Sequence, residues 1–152
     1  MPERPTVANS SCLIALKSAG HLDILAKLYR MVTVPSGVAR ECGGPLPEWT
    51  DVRPFQNQAM CQSLKIQLGH GEAEAITLAS ELSAVRIILD DKKARRIARQ
   101  LMLPVTGTMA ILIRAKEQGI IRQVRDVIDA LRRAGFYTSD ELVEEVLREA
   151  GE

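Results

Sequence analysis

Asn9, Glu41, Glu72 and the adjacent pair Asp90 and Asp91 are the side chains of this sequence whose types and spacing suggest chemistry. Oxygen ligands that converge from separate segments can hold a hard divalent cation, which activates water and offsets charge on a phosphate. Asn9 departs from that pattern. Its amide oxygen can ligate or orient a bound water but brings no negative charge, at the position where such a site would most want a carboxylate. Asn is also among the best helix N-caps, and Ser10 and Ser11 follow it. A cap and a place in a metal site both fit.

The elements that must position these residues can be read from patterning. Pro5 to Ala8 reads as a first strand, Met31 to Val34 as a second, Trp49 to Arg53 as an edge strand, and Val85 to Leu89 and Leu103 to Thr106 as two more. Between them fall a helix starting after Asn9 and interrupted at Gly20, and another over His21 to Tyr29. Further helices follow over Ser36 to Cys42, Gln56 to Ile66, Gly71 to Leu82, Lys92 to Leu101 and Met109 to Gln118. Strands alternating with helices over about 110 residues imply right-handed crossovers and a parallel sheet covered on both faces. The expected fold is therefore α/β, a three-layer α/β/α sandwich around a parallel sheet of about four to five strands. The last third has no strand signal and reads as two helices, Arg122 to Ala134 and Ser139 to Ala150, a helical appendix that covers the sheet or pairs with a second copy.

In such a sheet, residues just past the carboxyl ends of strands meet in one crevice. Asn9 and the pair Asp90 and Asp91 occupy such positions. Glu72 borders the apolar stripe of Ala75, Ile76, Ala79 and Leu82, while Glu74 is expected to point with Thr77 and Glu81 toward the polar face. Glu72 is the preferred functional carboxylate of the two, although any acid is favoured at a helix N-terminus. Glu41, three residues after Val38 on a short helix, reads as solvated.

Composition narrows the classes. With 152 residues and 46% hydrophobic content the chain makes one domain, and net charge +1 gives no strong global field. Aromatic residues are 3%, so the core must be aliphatic and no stacking platform for bases is expected. No apolar run is long enough to span a bilayer and the start, Met1 to Pro5, lacks a signal peptide's apolar stretch, so the expected location is cytoplasmic. Cys12, Cys42 and Cys61 have no C-x-x-C spacing and read as free thiols. His70-x-Glu72 lacks the P-C-x-x-C of zinc deaminases, and the phosphate-binding glycine motifs of nucleotide cofactors are missing. Neither His21 nor His70 is placed to activate Ser10 or Cys12.

The ordered motifs Asn9-Ser10-Ser11-Cys12-Leu13-Ile14, Val34-Pro35-Ser36-Gly37-Val38-Ala39-Arg40-Glu41, Gly71-Glu72-Ala73-Glu74-Ala75-Ile76, Ile88-Leu89-Asp90-Asp91-Lys92-Lys93-Ala94-Arg95 and Val105-Thr106-Gly107-Thr108 together resemble a branch of the PIN-domain superfamily described as predicted nucleic-acid-binding proteins. The resemblance spans nearly the whole chain. It implies a PIN-like domain over 1–119 with the helical extension 120–152 packed on it, and a ribonuclease dependent on Mg²⁺ or Mn²⁺. Such enzymes are often the toxin of a toxin–antitoxin pair, so RNA, a small antitoxin protein and a second copy of the chain are the implied partners. By position, Asn9 stands for the first-strand Asp of the family and Glu41 for its early helical Glu. Glu72 is the mid-chain acid, and Asp90 or Asp91 the acid after the fourth strand. Asp91 is the preferred ligand there, with Asp90 capping the next helix. The rival implication is the same fold with a disabled site that binds RNA or protein without cleavage.

Lys92, Lys93, Arg95, Arg96 and Arg99 crowd the helix after this pair. They could hold phosphates through charge and counterion release, or simply form a solvated face.

Overall fold

The computed structural model describes residues 4–152; Met1 to Glu3, on which the expectation about the chain's start partly rests, lie outside the described residues. The elements run β1 (Thr6–Ala8), α1 (Ser10–Ser18), α2 (Asp23–Tyr29), β2 (Val32–Pro35), α3 (Ser36–Glu41), β3 (Thr50–Arg53) and α4 (Gln58–Lys65). They continue with α5 (His70–Glu81), β4 (Arg86–Ile88), α6 (Lys92–Gln100), β5 (Val105–Thr106), α7 (Thr108–Glu117), α8 (Val124–Arg133) and α9 (Asp140–Glu149).

All strand pairs are parallel and the sheet order is β3-β2-β1-β4-β5. The chain thus winds outward from β1 in one direction and then, through α5, in the other. The order reverses between β1 and β4, where Thr6, Val7 and Ala8 pair with Arg86, Ile87 and Ile88. That switch point leaves a crevice outside the carboxyl ends of these two strands. Asn9 directly follows β1, and Asp90 and Asp91 follow β4 by two and three residues.

Side-chain alternation along the strands builds the three layers. Ala8, Val32, Val34 and Ile88 join one core cluster with Leu13, Leu16, Ile24, Leu25, Ile111 and Leu112. Val7, Ile87 and Leu89 join the other with Ala75, Ile76, Ala79, Ala94 and Ala98. The largest fully buried side chains are all Leu or Ile, each contributing about 1.5–3 kcal/mol by leaving water.

Helix α8 is tied to the first cluster by Val124, Val127, Ile128 and Leu131, and α9 by Val146 and Leu147. The N-cap of α8, Gln123, gives its helix no side-chain bond. The carboxylate of Glu152 does so instead, accepting from Val124 N at 2.7 Å, Arg125 N at 3.1 Å and Lys116 Nζ at 2.9 Å. Among the described residues no helix is long and apolar enough to cross a membrane.

Candidate functional site

Asn9 is 4% exposed and caps α1 in extended conformation, its Oδ1 accepting from Ser10 N at 2.7 Å. Capping does not take it away from the crevice. A Cβ added to Gly71, in the first turn of α5, would meet Asn9 Oδ1 at 2.8 Å and both Glu41 Oε2 and Ser10 Oγ at 3.3 Å. Three oxygens, from the residue after β1, from α1 and from α3, therefore press against the backbone at Gly71, an approach that a side chain on residue 71 would block. Ser10 Oγ donates to Glu41 Oε2 at 2.8 Å. Glu41, expected to be solvated, is exposed yet fastened to the cluster by this bond.

Glu72 stands one residue further along α5. Its Oε1 accepts from Gly69 N at 3.1 Å, which satisfies one of the free N–H groups that open the helix. Burial raises its carboxyl above the ordinary value; the Gly69 bond opposes this and the negative charge of Asp91 adds to it.

Asp91 rather than Asp90 is the cap of α6, a correction to the sequence expectation. Its Oδ2 accepts from Ala94 N at 2.9 Å. Asp90 is drawn elsewhere by a residue far along the chain: its Oδ1 accepts from Thr108 N at 2.8 Å and its Oδ2 from Thr108 Oγ1 at 2.6 Å. A carboxylate at the N-terminus of α7 is favoured there by the helix dipole as well as by these two bonds. The second oxygens of Glu72 and Asp91 have no hydrogen-bond partner among the described residues, whereas both oxygens of Asp90 are taken.

Two further expectations for α5 are corrected. Thr77 is fully buried and its Oγ1 donates to Ala73 O at 2.8 Å, so it belongs to no polar face. Glu74 is partly buried with its carboxylate over Gly37, at the start of α3, where any side chain would collide with it. Helical spacing placed Glu74 outward because periodicity does not know what packs against it. The signal that could have found it is the glycine at position 37, which opens space for a neighbour.

A groove of about 850 Å³ opens from the same rim, running from Asp90, Arg95 and Gly107 along α7 and α9. Lys92 and Arg95 line it; Lys93, Arg96 and Arg99 are exposed on α6 but are not part of its lining. Arg95 and Asp90 both approach Gly107: a Cβ there would lie 3.3 Å from Arg95 Nη1 and 3.4 Å from Asp90 Oδ1. Phe136 and Tyr137, between α8 and α9, line both this groove and a smaller one beside Ser10, Ser11 and Ile14. The low overall aromatic content concealed them, because two of the five aromatic residues are adjacent and lie at the site.

The donor set fits a hard cation. Asn9, Ser10, Glu41, Glu72 and Asp91 all offer oxygen, and the bare backbone of Gly71 lets the start of α5 pack against the first three. Mg²⁺ keeps several waters and uses only one or two protein carboxylates plus substrate oxygens. Among the described residues no three His, Cys, Asp or Glu side chains converge closely enough to hold a metal by themselves. The acids instead fall into adjoining groups, Glu41 with Asn9 and Ser10, Glu72 with Asp91, and Asp90 with Thr108.

Against protein-family models, the one described as a PIN domain matches residues 5–152. Comparison with curated proteins and with solved structures gave no match.

Proposed function

Because this chain belongs to the PIN-domain family, whose fold is of the nuclease type, we propose that it is an endoribonuclease dependent on Mg²⁺ or Mn²⁺. The observation that carries this reading is the packing of oxygens from Asn9, Ser10 and Glu41 against the backbone at Gly71, the residue before Glu72, at the carboxyl edge of β1 and β4. A cation between or beside neighbouring carboxylates stabilises their charged form.

Glu72 and Asp91 would be the principal ligands. Each has one oxygen fixed by a helix N-terminus, which sets its orientation, and one left for a ligand. Asn9 and Glu41, grouped by their approach to Gly71, would complete the set. When bound, the cation supplies a water of lowered pKa and compensates charge on the phosphate. Asp90 contributes by fixing Thr108, which joins the end of β4 to the start of α7 and so sets the wall of the groove. Lys92 and Arg95 hold the phosphates of the incoming strand, with Lys93, Arg96 and Arg99 adding longer-range attraction.

Metal titration followed by RNA cleavage, comparing the native chain with Glu72→Gln and Asn9→Asp, tests the reading. Cleavage lost in Glu72→Gln supports it. The same reading takes the chain as the toxin of a pair restrained by a small antitoxin protein. Growth arrest on expression, relieved by the product of a neighbouring small reading frame, is the corresponding test.

A second reading is favoured by one observation: Asn9 is uncharged and its Oδ1 already accepts from Ser10 N. On that reading the chain binds RNA or a protein without cleaving it. Gain of both metal binding and cleavage in Asn9→Asp, from a native chain that has neither, would decide for it.

A further inference from the structure

The groove beyond the acidic rim has features that holding a metal does not require. Lys92, Arg95 and Arg114 line it, and none has a carboxylate within ion-pair distance among the described residues. Arg95 Nε and Thr138 Oγ1, on residues of the same lining, are buried polar atoms without hydrogen-bond partners. An unpaired buried donor costs free energy, so this wall of the groove is not fully satisfied by the protein's own groups. The far end carries Glu117 and Glu149, so positive charge is concentrated toward Asp90 and falls away along α7 and α9.

Tyr137 is the other unexplained feature. It is 89% exposed, although it borders both grooves and follows the partly buried Phe136. Gly135, at φ +98°, turns the chain sharply out of α8, a conformation that disfavours other residues, and thereby presents the two rings in succession. An exposed ring and unpaired cations lining one groove are the combination that holds an unstacked base and its phosphate together.

We infer that Tyr137, Arg95 and Arg114 form a subsite for one nucleotide of an unpaired RNA strand, lying beyond the scissile position. The ring of Tyr137 stacks on the base, and the two guanidinium groups receive the phosphate. Paired RNA keeps its bases stacked on one another and is not taken there. The inference rests on the proposed nuclease reading for its relation to a scissile bond, but its binding chemistry stands apart from cleavage.

The test is fluorescence anisotropy with a labelled short oligouridylate in EDTA, which prevents cleavage, using the full chain and its Tyr137→Ala, Tyr137→Phe and Arg114→Ala variants. Tyr137→Ala should weaken binding about tenfold while Tyr137→Phe, which keeps the ring, stays near the native value. Arg114→Ala should weaken binding and flatten its salt dependence. The oligouridylate paired with its complement should bind less tightly than the single strand and be insensitive to Tyr137→Ala. Native affinity in Tyr137→Ala, or equal losses in the Ala and Phe variants, would overturn the subsite, as expected if the groove instead takes an apolar segment of a protein. A chain that binds through Tyr137 but cleaves nothing with Mg²⁺ or Mn²⁺ removes the nuclease reading and leaves the subsite. A chain that cleaves with the same KM in Tyr137→Ala does the reverse.

Discussion

Asn9 Oδ1 lies 2.8 Å from where the first side-chain carbon of residue 71 would stand, so the absence of a side chain at Gly71 and the position of Asn9 depend on each other. Gly71→Ala puts a methyl group among Asn9, Ser10 and Glu41. An Ala in a helix is favoured over Gly by about 1 kcal/mol, which offsets much of the strain, so the melting temperature should change by only a few degrees. Displaced oxygens should nonetheless lower cleavage by about a hundredfold. Calorimetry and a cleavage assay on one preparation check both halves.

Glu72→Gln separates chemistry from stability. Gln keeps the side-chain oxygen that accepts from Gly69 N, so the helix start survives. The carboxyl of Glu72 is raised in the folded state, so its stabilising contribution is complete below the ordinary carboxylate range and is lost as pH rises through the raised value. Glu72→Gln should therefore melt no lower than the native chain at neutral pH. The native chain should gain on it as pH falls through the carboxylate range. Thermal melts across that range read this sign directly.

Asn9→Asp restores the charge in a nearly buried position beside Glu41. Asp caps a helix as well as Asn does, so α1 should be retained. Without metal the added charge should destabilise the fold, and Mn²⁺ should more than restore it, since a cation that binds only the folded state raises stability. Cation affinity should rise by about tenfold, measured by calorimetric titration.

Much of the fold was legible because its signals are local. β-branched runs mark the strands, and Asn9 marks the start of α1. What the sequence hid are choices made by distant partners. Asp90 and Asp91 are both good caps, and only Thr108, 18 positions later, draws Asp90 away and leaves Asp91 to α6. Glu74 looks solvent-facing until Gly37 is packed against α5. Position at the end of β1 made Asn9 a candidate, but its close approach to α5, shared with Glu41, depends on Gly71, in a helix far along the chain.

Cys12, buried beneath the site, provides a check of packing. Burial, helped by the charge of Asp90, pushes its thiol up to about 12. Cys61 is also buried and Cys42 is only partly so. At pH 8 iodoacetamide should modify Cys42 in the folded chain, and Cys12 and Cys61 only after denaturation. The raised value also means that the contribution of Cys12 to stability is intact below about pH 9 and lost as pH climbs toward 12, visible as a falling urea midpoint.

The central claim, that oxygens at the carboxyl edge of β1 and β4 serve metal-dependent hydrolysis of RNA, is tested most directly by single-turnover cleavage of a single-stranded RNA. Native chain and Glu72→Gln are compared with Mn²⁺ and with EDTA. The native chain should cleave only with the metal, and Glu72→Gln should be slower by about a hundredfold or more, with its fold intact. Equal cleavage by the two proteins, or none by the native chain with Mn²⁺, would contradict metal-dependent hydrolysis at these oxygens.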